Sequence, residues 1–382
     1  MMLERSVAVL SVLAPAALSP AGPIITTSGT SPGYSYTIIG GLPQSAPAGP
    51  LSMSLSVNDT GRVVGYGATA PGYLSALSWK AGNFAPLSGV SGFNQTFARN
   101  VNNTGRVVGG GYKLGPNGGI LETHALRWIG TQATDLGTLG GKHALALAVN
   151  DTGYVVGYST LPGDTQTRAF IWHGGPMQAL VTLPGVIESY AYDISNSGYV
   201  VGTAASANST RPFRWRNGAA IELPIPAGSR AGAANAVNDA GDTVGTIEIS
   251  LNTGEFGAAL WRNGHRIDLG NLGGGFNYAI ASGINNQGDV VGTSNSPSGL
   301  TGFLWRDGQM LDLRSLIAPG LAPLQIIAAS GINEAGQISA TAIVAGKRTA
   351  VLLSPLGPIP APGAIALFAV AGAATLRRRR AT

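Results

Sequence analysis

Seven side chains with useful chemistry sit in stretches that differ from one segment to the next. Lys142 and His143 lie in "GGKHA", Glu188 and Tyr190 in "GVIESYAY", Arg230 in "GSRAG", and Asn277 and Tyr278 in "GGFNYA". Together they offer cations, phenols, an amide and one carboxylate, which suits hydrogen bonding and ring contact with a glycan or protein ligand. A glycosidase needs two carboxyl groups roughly 5 to 10 Å apart. Glu188 is the only acid of this group, so binding is favoured over hydrolysis. The four histidines, His124, His143, His173 and His265, follow no metal spacing such as H-E-x-x-H. The sequence has no G-x-S-x-G elbow, and "LGTLGGKH" lacks the Ser or Thr that a P-loop places after its Lys. With no Cys in the chain, disulfides, zinc ribbons and thiol catalysis are excluded. No cofactor or metal ligand set is expected.

Asp59, Asp151 and Asp239 recur at one position of a repeated phrase, which invites a calcium reading. The same position holds Asn103, Asn196, Asn286 and Glu334, and the loop is too short to supply six oxygen ligands. Turn chemistry is the better account. The phrase is "VNDTGRVVGYG" at Val57, "VNNTGRVVGGG" at Val101 and "VNDTGYVVGYS" at Val149. Its first Gly recurs at Gly61, Gly105, Gly153, Gly198, Gly241, Gly288 and Gly336, spaced 43 to 48 residues apart. A period of this length belongs to solenoids, propellers or helical arrays.

The recurring pieces are short runs of Val, Ile and Trp between Gly and Asn, which are strand and turn signals. Asn and Asp start the reversal by bonding their own backbone, and Gly accepts positive φ at its end. A second strand follows with Trp79, Trp128, Trp172, Trp215, Trp261 or Trp305, and Leu353 takes that place in the last copy. A Trp in nearly every repeat reads as packing between units rather than as an exposed sugar platform. A Gly-containing turn and a further strand, as in "ATDLGTLGG", complete a four-stranded antiparallel meander. That unit is a propeller blade; a parallel β-helix lacks such tight reversals. The last copy has no fourth strand, whereas "YSYTIIGG" at Tyr34–Gly41 precedes the first copy and aligns with "TDLGTLGG". The expected fold is all-β, a seven-bladed β-propeller of four-stranded antiparallel blades over 34–354, its ring closed by the N-terminal strand. In such a blade the first and third turns open on one face. The second loop and the blade-to-blade crossover open on the other. Varied loops on a uniform scaffold are where function sits, which is why the seven residues above are the ligand-binding candidates.

The two ends read as addresses. Residues 1–21 have a short charged head with Arg5, an apolar run and small residues, the layout of a secretory signal peptide; cleavage after Ala21 or after Ala16 fits. A linker, 22–33, leads to the propeller, and a Pro-rich linker, 355–362, leaves it. Residues 363–382 hold an uncharged, mostly apolar stretch from Gly363 to Leu376, then Arg377, Arg378, Arg379 and Arg380. As a helix that stretch is about 21 Å long, short for a ~30 Å hydrocarbon core unless the Arg side chains snorkel. Arg5 and the four terminal Arg account for five of the 23 basic residues. Without them and Glu4, 18 bases face 17 acids, so the body is nearly neutral and carries no nucleic-acid signal.

"HALRW" and "RAFIW", beside "VNDxGxVVG" and "DLGTLGG", resemble the HAF repeat of extracellular bacterial proteins. The resemblance implies an extracytoplasmic place and no particular activity. The tail resembles the PEP-CTERM sorting signal, with Pro360-Ala361-Pro362 where that signal has Pro-Glu-Pro. It implies signal peptidase and an exosortase-type protease as processing partners, and a membrane contact through the C-terminal segment. The expectation is an exported, surface- or envelope-associated, non-catalytic binding module of a Gram-negative-type bacterium. The alternative is an extracytoplasmic propeller enzyme, a glycoside hydrolase or lyase.

Overall fold

In the computed structural model, residues 33–39, 53–70, 73–250 and 254–357 are described. The signal-peptide segment, the residues of the sorting signal and the Gly40-Gly41 pair lie outside them. Among the described residues there are seven four-stranded antiparallel sheets, each a blade. The first strands of blades 1 to 7 are Met53–Val57, Gln95–Val101, Ala144–Val149, Glu188–Ile194, Gly232–Val237, Ala279–Ile284 and Gln325–Ile332. The outer strand of blade 7 is Tyr34–Ile39, which pairs with Lys347–Pro355 in the register Tyr34↔Pro355 to Ile39↔Ala350. The ring is therefore closed by the N-terminal strand. Tyr34 is fully buried and its hydroxyl donates to Gly336 O at 3.1 Å, which fastens the closure.

The core lies between blades. Trp128 packs with Val64 and Ala76 of blade 1 and Ala98 of its own blade, and Trp79 packs with Ala350 and Leu352 of blade 7. Three indoles also find acceptors: Trp128 at Ser88 O, Trp172 at Gly175 O and Trp261 at Pro224 O. Trp215 is only partly buried, and its Nε1 is enclosed without a hydrogen-bond partner. The fourth strands are shorter than the sequence suggests. In "ATDLGTLGG" only the first three residues belong to strand Gln132–Asp135, and the rest begins the crossover.

One feature of the inner strands is invisible in the sequence. Each carries a β-bulge at the same place, between Ala98 and Asn100 in blade 2, Ala146 and Ala148 in blade 3, and Ala191 and Asp193 in blade 4, with counterparts in every other blade. The bulge explains the second Gly of "VVG". A Cβ at Gly157 would stand 1.9 Å from Leu145 O, and one at Gly202 1.9 Å from Tyr190 O. Only a residue without Cβ lets the bulged carbonyl approach. In blade 7 Ala340 takes this place, and there the inner strand has a second register shift, between Ile326 and Ala328.

Candidate functional site

The first turns build one rim of the central channel. All seven anchor glycines have positive φ, from 72° to 95°, so the reversal is the one the sequence implies. The Asn at its start acts twice. In blade 2, Asn102 Oδ1 accepts from Arg106 N at 2.8 Å, while its Nδ2 donates to Asn150 O of blade 3, also at 2.8 Å. Asn58, Asn150, Asn238, Asn285 and Asn333 likewise donate to the next blade. Ser195 holds this position in blade 4, and Ser197 supplies the bond instead, to Asp239 O at 2.8 Å.

The next residue adds a closed circle of amide-to-side-chain bonds. Asp59 N donates to Asn103 Oδ1, Asn103 N to Asp151 Oδ1, Asp151 N to Asn196 Oδ1, and Asn196 N to Asp239 Oδ1. Asp239 N donates to Asn286 Oδ1, Asn286 N to Glu334 Oε1, and Glu334 N back to Asp59 Oδ1 at 2.8 Å. The recurrent Asp is thus turn chemistry as expected, and also the link between blades. Acid and amide alternate because an amide can donate to flanking carboxylates, as Asn103 Nδ2 does to Asp59 Oδ2 and Asp151 Oδ2 at 2.7 and 3.1 Å. Seven positions cannot alternate throughout, and Glu334 and Asp59 fall side by side. Burial raises the Glu334 carboxyl, with the charges of Asp59 and Asp239 adding to the shift. Among the described residues, no three His, Asp or Glu side chains are placed to share a metal ion.

Behind this rim lies a cavity of about 300 Å³. Its deeper wall includes the bulge residues Arg99, Leu147, Tyr192, Asn235, Ser282 and Ser330, one per blade from blade 2 to blade 7. Asp193, beside Tyr192, also lines the cavity. Burial pushes its carboxyl up to about 6, although its oxygens accept from Ile194 N and Val237 N, both at 2.9 Å. Sequence reasoning treated the rim as purely structural and missed this wall. A repeat alignment shows the bulge column as variable, but only the strand register shows that it lines the axis.

The seven candidates lie toward the opposite face, where three of the four crossovers pair with the preceding blade's third strand. Thr123 N donates to Lys142 O, Thr210 N to Arg230 O and Phe256 N to Asn277 O, while Asn295 N donates to Tyr278 O. Lys142, Arg230 and Asn277 are exposed, and His143, Glu188, Tyr190 and Tyr278 are partly buried. They come from four successive blade junctions rather than one cluster, and Glu188 and Tyr190 belong to the first strand of blade 4 rather than to its crossover, Tyr190 Oη donating to Glu188 Oε2 at 2.9 Å. Glu188 is not the only acid on this face. The second loops bring Asp164 to Lys142 N at 2.7 Å, Glu248 to Arg230 N at 2.7 Å and Glu255 to Asn277 Nδ2 at 3.1 Å. Sequence distance hid these partners, since each acid lies 18 to 22 residues from its amide. Exposed apolar side chains fringe the same loops: Ile120, Leu121, Ile187, Phe276 and Leu300 are each 46 to 52% exposed.

No protein-family model matches the sequence, and no curated protein sequence matches it. Similar solved structures include the β-propeller domain of the Trilobed protease from Pyrococcus furiosus, 10% identical with a TM-score of 0.49, over 71% of this chain and 83% of that one. A gluconolactonase from Xanthomonas campestris is 12% identical with a TM-score of 0.41, over 88% and 99%. A sialidase from Trypanosoma rangeli is 11% identical with a TM-score of 0.41, over 80% and 54%. At these values the likeness carries no functional argument, and the fold rests on the strand pairing itself.

Proposed function

We propose that this chain is an exported propeller, held at the cell envelope by its C-terminal segment, that acts as a non-catalytic binding module and displays its crossover face. One observation carries the reading. Tyr34 pairs with Pro355, and Leu356 N donates to Gly33 O at 2.9 Å, so both ends of the propeller leave together on the turn face. Residues 358–362 span at most about 17 Å before the apolar segment begins. A tether that short keeps the turn face toward the membrane and turns the crossover face outward. Lys142, Arg230 and the apolar fringe then meet a glycan, matrix or protein ligand.

The absence of Cys gives a clean test. Single Cys substitutions at Thr104 on the turn face and Leu300 on the crossover face are labelled in intact envelopes with a bulky impermeant maleimide. Leu300→Cys labels readily and Thr104→Cys does so only after the tail is removed. Equal labelling before removal contradicts the orientation. A glycan array and chromogenic glycoside substrates separate binding from catalysis: turnover abolished by Glu188→Gln replaces the binding reading with an enzymatic one.

A further inference from the structure

The channel holds a charged group that the scaffold leaves unused. Arg99 stands at the bulge of blade 2, in the cavity wall, with its guanidinium carbon 5.5 Å from the Phe97 ring centre. Its Nε is buried and has no hydrogen-bond partner, and it enters none of the ion pairs among the described residues. Asp193, Asn100 and Asn235 of the wall are engaged by the ring. Both oxygens of Asp193 take backbone amides, Asn100 bridges Val149 N and Ser56 Oγ, and Asn235 Nδ2 donates to Ala281 O. The terminal nitrogens of a guanidinium form a fork that matches a carboxylate.

The wall around Arg99 is not seven-fold. At the bulge position it reads Arg99, Leu147, Tyr192, Asn235, Ser282 and Ser330 in blades 2 to 7. The Phe97 ring, against which Arg99 lies, meets Tyr112 at 4.6 Å with the ring planes tilted by 34°. Burial raises the phenols of Tyr112 and Tyr158, and the charge of Arg99 opposes the rise in both. The far wall is short and polar: Asn235, Ser282 and Ser330. One side thus offers a cation near Tyr192, and the other offers the hydroxyls of Ser282 and Ser330. The rim carboxylates above can accept hydroxyl donors.

We propose that this cavity binds a small polyhydroxylated carboxylate, of the uronic acid type, with its carboxylate on Arg99 and its hydroxyls toward Ser282, Ser330 and the rim. The volume is at the lower end of small-molecule sites, which fits one sugar ring. A bare anion is disfavoured, because it meets the acidic rim with no donor to offer. A neutral sugar leaves Arg99 unpaired. The site is separate from the crossover face, and the proposal does not rest on the tether.

Isothermal titration of the full chain with glucuronate, glucose and acetate tests it. Glucuronate binds at least about tenfold more tightly than either control, and Arg99→Met removes that preference. Ser282→Leu, on the far wall, weakens glucuronate similarly by filling the cavity; Leu147 shows that the bulge position accepts Leu. That variant decides the matter if Arg99→Met fails to fold. Glucuronate binding no better than glucose or acetate, or unchanged in a folded Arg99→Met or Ser282→Leu, overturns the proposal.

Discussion

The turn face and the crossover face come from the same seven repeats, yet they solve opposite problems. On the turn face each buried Asn caps its own reversal and grips the next blade, and the following residue completes a circle that returns to Asp59. On the crossover face, bonds run within one blade or to its neighbour, and Lys142 and Arg230 remain exposed. Uniform sequence marks the first and variable sequence the second. The lesson is that a conserved-looking turn in a closed repeat can be an interface, because its partner is the next copy of itself.

The comparison can be broken most severely at the seam. Tyr34→Ala removes a fully buried ring and its bond to Gly336 O, and should cost about 4 kcal/mol in chemical denaturation. Gly157→Ala comes next. It drives a Cβ into Leu145 O, for about 3 kcal/mol, whereas Gly185→Ala near the crossover meets open space and carries only the penalty of its positive φ, about 1 kcal/mol. Asn102→Ala leaves Asn150 O and Arg106 N without their side-chain partner and should cost about 2 kcal/mol. Lys142→Ala with Arg230→Ala, on the other face, should stay within about 0.5 kcal/mol in the same denaturation series.

A smaller effect depends on pH. The folded-state value of Asp193 is raised to about 6, so the folded protein holds this proton more tightly than the unfolded chain does. The resulting stabilisation is greatest at low pH and is lost as pH rises through about 6. Melting curves of Asp193→Asn and the parent should therefore differ in slope between pH 4 and pH 6 and run parallel above pH 7. Parallel curves throughout would place Asp193 in a more hydrated setting than the channel provides.

Much of the fold is legible in the sequence because one period repeats. Seven anchors set the blade number, the Trp column sets the third strand, and the spare "YSYTII" strand sets the closure. The turn glycines are legible from local chemistry alone. The bulge is not, since a register shift leaves no residue type of its own; its trace is the second Gly of "VVG", whose reason appears only when Leu145 O is seen against Gly157. Arg99 was equally hidden. In the sequence it stands between Ala98 and Asn100 like any strand residue, and only the bulged register places it in the same cavity wall as Tyr192 of blade 4. The crossover candidates were legible as a face but not as a cluster, because their acidic partners come from the second loops.

Native-state hydrogen exchange tests the contrast between the two faces most directly. The amides of Asp59, Asn103, Asp151, Asn196, Asp239, Asn286 and Glu334 each donate to the neighbouring blade. They should exchange only with global unfolding, although most of these residues are exposed, while loop amides of the crossover face, such as those of Asn117 and Gly185, exchange through local opening. Fast local exchange at the seven turn amides, at rates like those of the crossover loops, would contradict a ring locked by its turns.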